Sequence, residues 1–288
     1  MKLRYINLWR SHESTVLNEL YSDAFNYMSR YISNYLSKAV RTLKIEMDEP
    51  IKMLSVDIVN GQEQIRMLAE DVLDIKVRID ESELVSFFQT KDLRTRSEIC
   101  LSLIERGYQI ASREQHNIPI EALMSLHSQF RSGGYKNEWL FKELHIKERR
   151  MKIALTCSFT SYDFSLNLEC TDKDTGQLLA IGPVIRTAPD EVCYDHLFKT
   201  VTVNKHDIIL NYFLGNPGTI ISIDSLREGM IKVSYPEESV GRSVRDGSII
   251  IEGLHDLERK VVGYKTIMSS GDISEEKGVW ATYAQWKE

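Results

Sequence analysis

From Met151 onward apolar and polar residues alternate. Met151, Ile153, Leu155, Cys157 and Phe159 stand against Lys152, Thr156 and Ser158, then Phe164, Leu166, Leu168 and Cys170 against Ser165, Asn167 and Glu169. A period of two puts one set on each face of a half-buried strand. The polar stretches Thr160–Asp163 and Asp172–Gly176 supply turns, and Leu178–Ile185 follows as a third strand. The segment Glu138–Arg186 therefore predicts an antiparallel meander with one apolar face that needs a cover. Pairing about the first turn sets Cys157 opposite Leu166, not opposite Cys170.

The first half of the chain follows a different period. Apolar residues from Val16 to Ala39 recur at three- and four-residue steps, which predicts one long helix over Glu13–Val40 with Ser11 or Ser14 as its N-cap. The stripe is broad, as for a helix buried across a sheet. Tyr21, Tyr31 and Tyr35 on it read as core residues rather than as a cofactor pocket. Alternation at Leu43, Ile45 and Met47, at Leu54, Val56 and Ile58, and at Leu73, Ile75, Val77 and Ile79 predicts three strands of a small sheet. Gln62–Glu70 fits either a strand or one helical turn. Three helices follow. The first spans Asp80–Gln89. The second spans Asp92–Glu114, where Gly107 marks close packing or a bend. The third starts at Asn117-Ile118-Pro119 and stops at Gly133-Gly134.

After the meander, Ala188–His196 reads as a connection, Phe198–Val203 as a strand and Lys205–Leu214 as a short helix closed by Gly215–Gly218. Ile220–Ile223 and Met230–Tyr235 read as strands around a polar turn at Asp224–Gly229. Glu237–Gly247 reads as a loop, and Ser248–Glu252, Arg259–Met268 and Gly278–Trp286 as further strands. The fold class is α+β: a helix-rich N-terminal half with a small antiparallel sheet, then a mostly antiparallel β-rich C-terminal half. Gly133-Gly134 divides residues 1–134 from 135–288, as two domains or as two parts of one core.

Composition narrows the function classes. With 42% apolar and 27% charged residues, 15 Gly and 6 Pro in 288, the chain is an ordinary globular one without long linkers. A net charge of −6 argues against a duplex-DNA binder, which needs a basic face, and fits a basic protein partner. Cys100, Cys157, Cys170 and Cys193 form no C-x-x-C pair and read as free thiols, three of them on apolar stripes. The absence of a secretory pattern or an apolar run long enough to span a bilayer places the expectation in the cytoplasm, away from membranes.

Phosphate-loop, nucleophile-elbow, zincin and EF-hand spacings are all missing, so neither a cofactor nor a metal is expected. Three clusters could still carry chemistry. In Asp190–His196, Cys193 could act as a thiolate with His196 or His206 as base and Asp195 or Asp207 orienting it. Flanking acids on a strand would raise the thiol pKa and oppose that role. Arg242 and Arg245, in a glycine-flanked loop, could hold a phosphate or carboxylate, or simply be solvated. Trp280, Tyr283 and Trp286 lie near Asp272, Glu275 and Glu276, an aromatic and acidic combination suited to a basic partner surface, or to closing a core.

These readings favour a non-catalytic protein-binding protein, in one version an immunity or antitoxin-type protein that occludes a basic toxin cleft. The alternatives are a hydrolase or transferase using Cys193, and a structural or assembly subunit of a larger complex.

Overall fold

The structure is a computed structural model, which describes residues 1–11, 19–213 and 215–234 and the backbone of strands at 250–255, 261–267 and 273–276. The fold is α+β. The chain divides into two compact units, Met1–Asn137 and Glu138–Trp286.

Unit 1 is built on a four-stranded sheet in the order β1-β2-β4-β3, where β1 is Tyr5–Arg10, β2 Met53–Val59, β3 Gln64–Leu68 and β4 Val72–Arg78. The sheet is mixed rather than wholly antiparallel: β1–β2 and β2–β4 run parallel, and only β3–β4 is antiparallel. Parallel neighbours need a crossover, and helix α1 (Glu19–Leu43) supplies it between β1 and β2. β1 has no counterpart among the predicted strands, because Ile6 and Leu8 make too short an alternation to stand out.

The predicted start of α1, including the Ser14 cap, lies outside the described residues. Its end corrects the expected strand at Leu43–Asp48. The helix continues to Leu43, and Lys44 turns it at φ 53°. The Lys44 N–H donates to the Arg41 carbonyl at 3.3 Å and the Ile45 N–H to the Val40 carbonyl at 3.2 Å. This is a Schellman closure with lysine where glycine is usual. The alternation beyond it is real, with Ile45 and Met47 buried, but it forms only an isolated bridge, Lys2↔Glu46.

α1 lies along the open edge of β1. The Ile6 N–H donates to Ser37 Oγ (3.0 Å), the Leu8 N–H to Ser33 Oγ (2.9 Å) and the Arg10 N–H to Asn26 Oδ1 (2.7 Å). Ser37 Oγ returns a bond to the Ile6 carbonyl and Asn26 Nδ2 one to the Arg10 carbonyl, both at 3.1 Å. An edge strand otherwise presents unpaired backbone groups. Here one helix face satisfies them through residues spaced by helical turns. Tyr31 is core, its hydroxyl 2.6 Å from Ser97 Oγ, and Tyr35 packs on Phe130 with ring centroids 4.5 Å apart.

Helices α2 (Glu81–Gln89), α3 (Leu93–Arg113) and α4 (Ile120–Ser132) follow the predicted pattern. Gly107 is a close-packing glycine: a Cβ there would stand 2.9 Å from Val56 Cγ2 and 3.6 Å from Val77 Cγ2. α3 thus presses on the apolar face of the sheet. Arg96, on α3, is buried despite its charge. It donates to the Phe87 carbonyl (3.4 Å) and to the Thr90 carbonyl, covering the C-terminal end of α2.

Unit 2 carries the meander, extended by one strand. β5 (Asn137–Ile146), β6 (Met151–Phe159), β7 (Phe164–Asp172) and β8 (Leu178–Thr187) form a sheet in that order. The β6–β7 register pairs Cys157 with Leu166, as the turn predicts. A second sheet has the order β12-β11-β10-β9, with β9 Thr200–Val203, β10 Asp207–Asn211, β11 Pro217–Ser222 and β12 Val233–Ser234. β10 corrects the helix expected over Lys205–Leu214. Asn204 Oδ1 accepts the N–H groups of His206 (2.8 Å) and Asp207 (2.7 Å), so the chain turns, and Ile208 and Leu210 then bury on one strand face. Conversely, the expected turn at Asp224–Gly229 opens as helix α6 (Ile223–Arg227), capped by Ser222. β13 (Ile250–His255), β14 (Val261–Ile267) and β15 (Ile273–Glu276) form a third, antiparallel sheet. The strand expected over Gly278–Trp286 lies outside the described residues.

Candidate functional site

The Cys193 cluster forms around one turn of helix, α5 (Glu191–Tyr194), not a strand. Asp190 caps it, accepting the Val192 N–H at 3.0 Å. The turn is anchored by Tyr194, whose ring stacks on Phe164 with centroids 3.6 Å apart and meets Phe159 edge-on at 5.6 Å. Phe198 continues the stack, 5.6 Å from Phe164. The residues assigned to chemistry have other partners. His196 Nδ1 donates to the Val192 carbonyl at 3.1 Å, and Asp195 pairs with Lys199 at 2.5 Å. His206 lies 3.5 Å from Asp224 rather than on Asp207, and Asn204 Nδ2 lies 3.4 Å from Asp207 Oδ2. The segment is a polar rim held by an aromatic plug.

The four cysteines differ in access. Cys100, Cys157 and Cys170 are buried and Cys193 is half-buried. Burial pushes the Cys100 thiol well up and the Cys170 thiol up to about 11. Under native conditions, iodoacetamide near neutral pH should therefore label Cys193 alone, no faster than a free cysteine. Mass spectrometry of the labelled chain checks this. Faster labelling of Cys193 would revive the nucleophile reading, and labelling of Cys157 would contradict the packing.

Of the proposed partner surface, Glu275 and Glu276 fall on β15, registered opposite Lys265 and Tyr264. Asp272, Trp280, Tyr283 and Trp286, with Arg242 and Arg245, lie outside the described residues.

The arrangement that the sequence did not reveal is in unit 1. Successive residues of a strand point to opposite faces, and registered partners share a face. One face of the sheet carries Leu8, Val56, Ile58, Ile75 and Val77. The other carries Trp9, Ser55, Asp57, Asp74, Lys76 and Arg66. Asp57 is 2% exposed and Asp74 1%. Asp57 Oδ1 accepts the Ser11 N–H at 2.9 Å, Arg66 Nε donates to Asp74 Oδ2 at 3.1 Å, and Trp9 Nε1 donates to Ser55 Oγ at 2.9 Å. Burial pushes the Asp57 pKa up, and the Asp74 charge pushes it further, against the lowering by the Ser11 N–H and the Lys76 ammonium. In the sequence, Asp57 and Asp74 look like the solvent positions of alternating strands. Nothing in the pattern of a single strand says that both faces of β2 are covered.

A second polar group joins α3 to α4. Arg131 bonds Glu98 through Nε (2.9 Å) and Nη2 (2.9 Å), and Nη2 also reaches Glu105 at 3.0 Å. Tyr135 donates to Glu98 at 2.6 Å, and the fully buried His127 holds Glu105 at 3.0 Å. Burial lowers the His127 pKa, opposed by Glu105, so the neutral ring is favoured. This network ties two helices together.

Among the described residues, no group of three or more His, Cys, Asp or Glu is placed to hold a metal, and no helix is long and apolar enough to cross a membrane. No family model, curated protein or solved structure matches the chain.

Proposed function

We propose that the chain is a non-catalytic, cytoplasmic protein-binding protein, in the specific version an immunity or antitoxin-type protein that occludes a basic partner. The observation that supports this reading is β5. It is a ten-residue strand at the end of its sheet, with Leu140 58% exposed, and no further strand pairs with its outer edge among the described residues. A strand of this length at the end of a sheet offers main-chain groups for an added strand, with alternate side chains giving specificity. Charge supports the sign of the partner. Residues 138–288 hold 23 acidic against 18 basic residues, whereas residues 1–137 are nearly balanced with 19 and 18. An acidic surface steers a basic partner onto it and weakens that steering at high salt.

The test is affinity purification of the tagged full chain from its native cell at low and high salt. A stoichiometric basic protein should be recovered, held less well at high salt. The surface substitution Leu140→Arg should weaken its binding at least about tenfold, or about 1.4 kcal/mol. Recovery of no stoichiometric protein, or capture indifferent to Leu140→Arg, would count against the reading.

A further inference from the structure

The joint between α3 and α4 is closed over a titratable ring. His127 on α4 is fully buried, and so is Tyr108 beside it on α3, with ring centroids 5.5 Å apart. His127 Nδ1 lies 3.0 Å from Glu105 Oε1, and Nε2 lies 3.5 Å from the Tyr108 hydroxyl. A carboxylate only accepts, so Nδ1 carries the proton, and Nε2 is left to accept the Tyr108 O–H. The neutral ring thus has a partner at each nitrogen. A second proton, on Nε2, would meet the Tyr108 O–H. That hydroxyl would have to give up its own bond to turn its oxygen toward the ring. Nor does Glu105 lack a cation, because the same Oε1 already accepts from Arg131 Nη2 at 3.0 Å. A buried charge or an unmatched buried donor is costly until water reaches it.

We propose that His127 is an acid-sensitive latch: the neutral ring closes α4 on α3, and proton uptake opens this joint to water. The groups that face the ring set the balance. Burial, the largest effect, opposes the charged ring together with Arg131 on α4, whereas Glu105 and Glu98 on α3 favour it. Tyr108 keeps its proton, because burial pushes its pKa well up. From α1, Tyr31 and Tyr35 pack on Phe130 of the same helix as His127. The folded value lies below the ordinary 6.5 of histidine. The stabilisation is therefore complete above that value and is lost as the pH falls from there through the folded one. Glu98, held below the usual carboxylate range by Arg131, releases its share at lower pH. Asp57, pushed up by burial, acts with the opposite sign. The latch lies within unit 1, and neither it nor the β5 reading needs the other.

Imidazole proton resonances and amide hydrogen exchange of the full chain, followed from about pH 8 to about pH 5, test the latch. The His127 signal, assigned by its loss in His127→Asn, should titrate below about 6.5. Protection of the Leu126–Phe130 amides, corrected for intrinsic exchange, should fall as the pH drops below about 6.5. The fall should reach at most about tenfold per pH unit, the limit for one linked proton, and end once the folded ring is charged. The Leu54 and Val56 amides of β2 should lose less. His127→Asn keeps a donor near the Nδ1 position and has no proton to take up, so its α4 protection should stay level over this range. Should that variant not fold, the wild-type titration and exchange decide alone. A ring that titrates at or above the ordinary value would overturn the proposal, as would α4 protection that stays level in the wild type. An equal fall in folded His127→Asn would assign the effect to other groups and overturn it as well.

Discussion

Tyr194→Ala should lower the unfolding free energy of the protein by about 3–5 kcal/mol, the range for removing a large buried ring. Tyr194 is buried between Phe164 and Phe159 and carries the whole Asp190–His196 turn. Its removal leaves a cavity on Phe164, a ring that also packs on Trp139 and Phe198. Tyr194→Phe keeps the stack and should cost no more than about 1.5 kcal/mol, the net value of one hydrogen bond. Urea unfolding of the three proteins measures both changes. A loss below about 1 kcal/mol in Tyr194→Ala would mean that the ring stack does not support the fold. The alanine variant should also expose buried thiols, so that Cys157 joins Cys193 in reacting with iodoacetamide.

That experiment bears on how a polar cluster is read from sequence. Asp190–His196 attracts attention because Cys, His and Asp are chemically versatile. The residue that decides its role is the aromatic one among them. Tyr194 packs against strands some thirty residues earlier in the chain, a distance over which residue type alone carries no information. The meander was legible for the opposite reason. Its turns are short, its alternation is strict, and the register of Cys157 with Leu166 follows from counting outward from Thr160–Asp163.

Other elements depended on partners that a local pattern does not contain. Gly107 was readable as a contact point, since a glycine inside a helix needs a reason, and Val56 supplies it. Lys44 was not readable as a helix stop, because the residue expected there is glycine. The parallel direction of β1–β2 and β2–β4 is a property of connections, not of side-chain alternation. Asp57 and Asp74 follow from this. The alternation that assigned them to solvent is correct about the face they occupy, and their burial arises only when the neighbouring strands and side chains are in place. Long-range pairing hid the candidate site, although its residues all lie within the first eighty of the chain.

The double substitution Ser33→Ala and Ser37→Ala on α1 should destabilise the protein by about 2–5 kcal/mol. Each serine accepts a buried N–H from β1, Leu8 for Ser33 and Ile6 for Ser37. A buried donor left unpaired costs about 1–3 kcal/mol, and Ser37 also donates to the Ile6 carbonyl. Working the other way, alanine is the better helix former by a few tenths of a kcal/mol at each position. The sign therefore distinguishes edge sealing from ordinary helix propensity. Ser128→Ala, at an exposed site on α4, is the control and should raise stability slightly. Hydrogen exchange gives the local readout: the amides of Ile6 and Leu8 should lose protection more than those of Leu54 and Val56, their partners in the β1–β2 ladder. Stability equal to or above that of the wild type would show that water satisfies the β1 edge without the serines. The helix would then be held chiefly by its buried apolar face, Phe25, Met28, Tyr31, Ile32 and Leu36 among others.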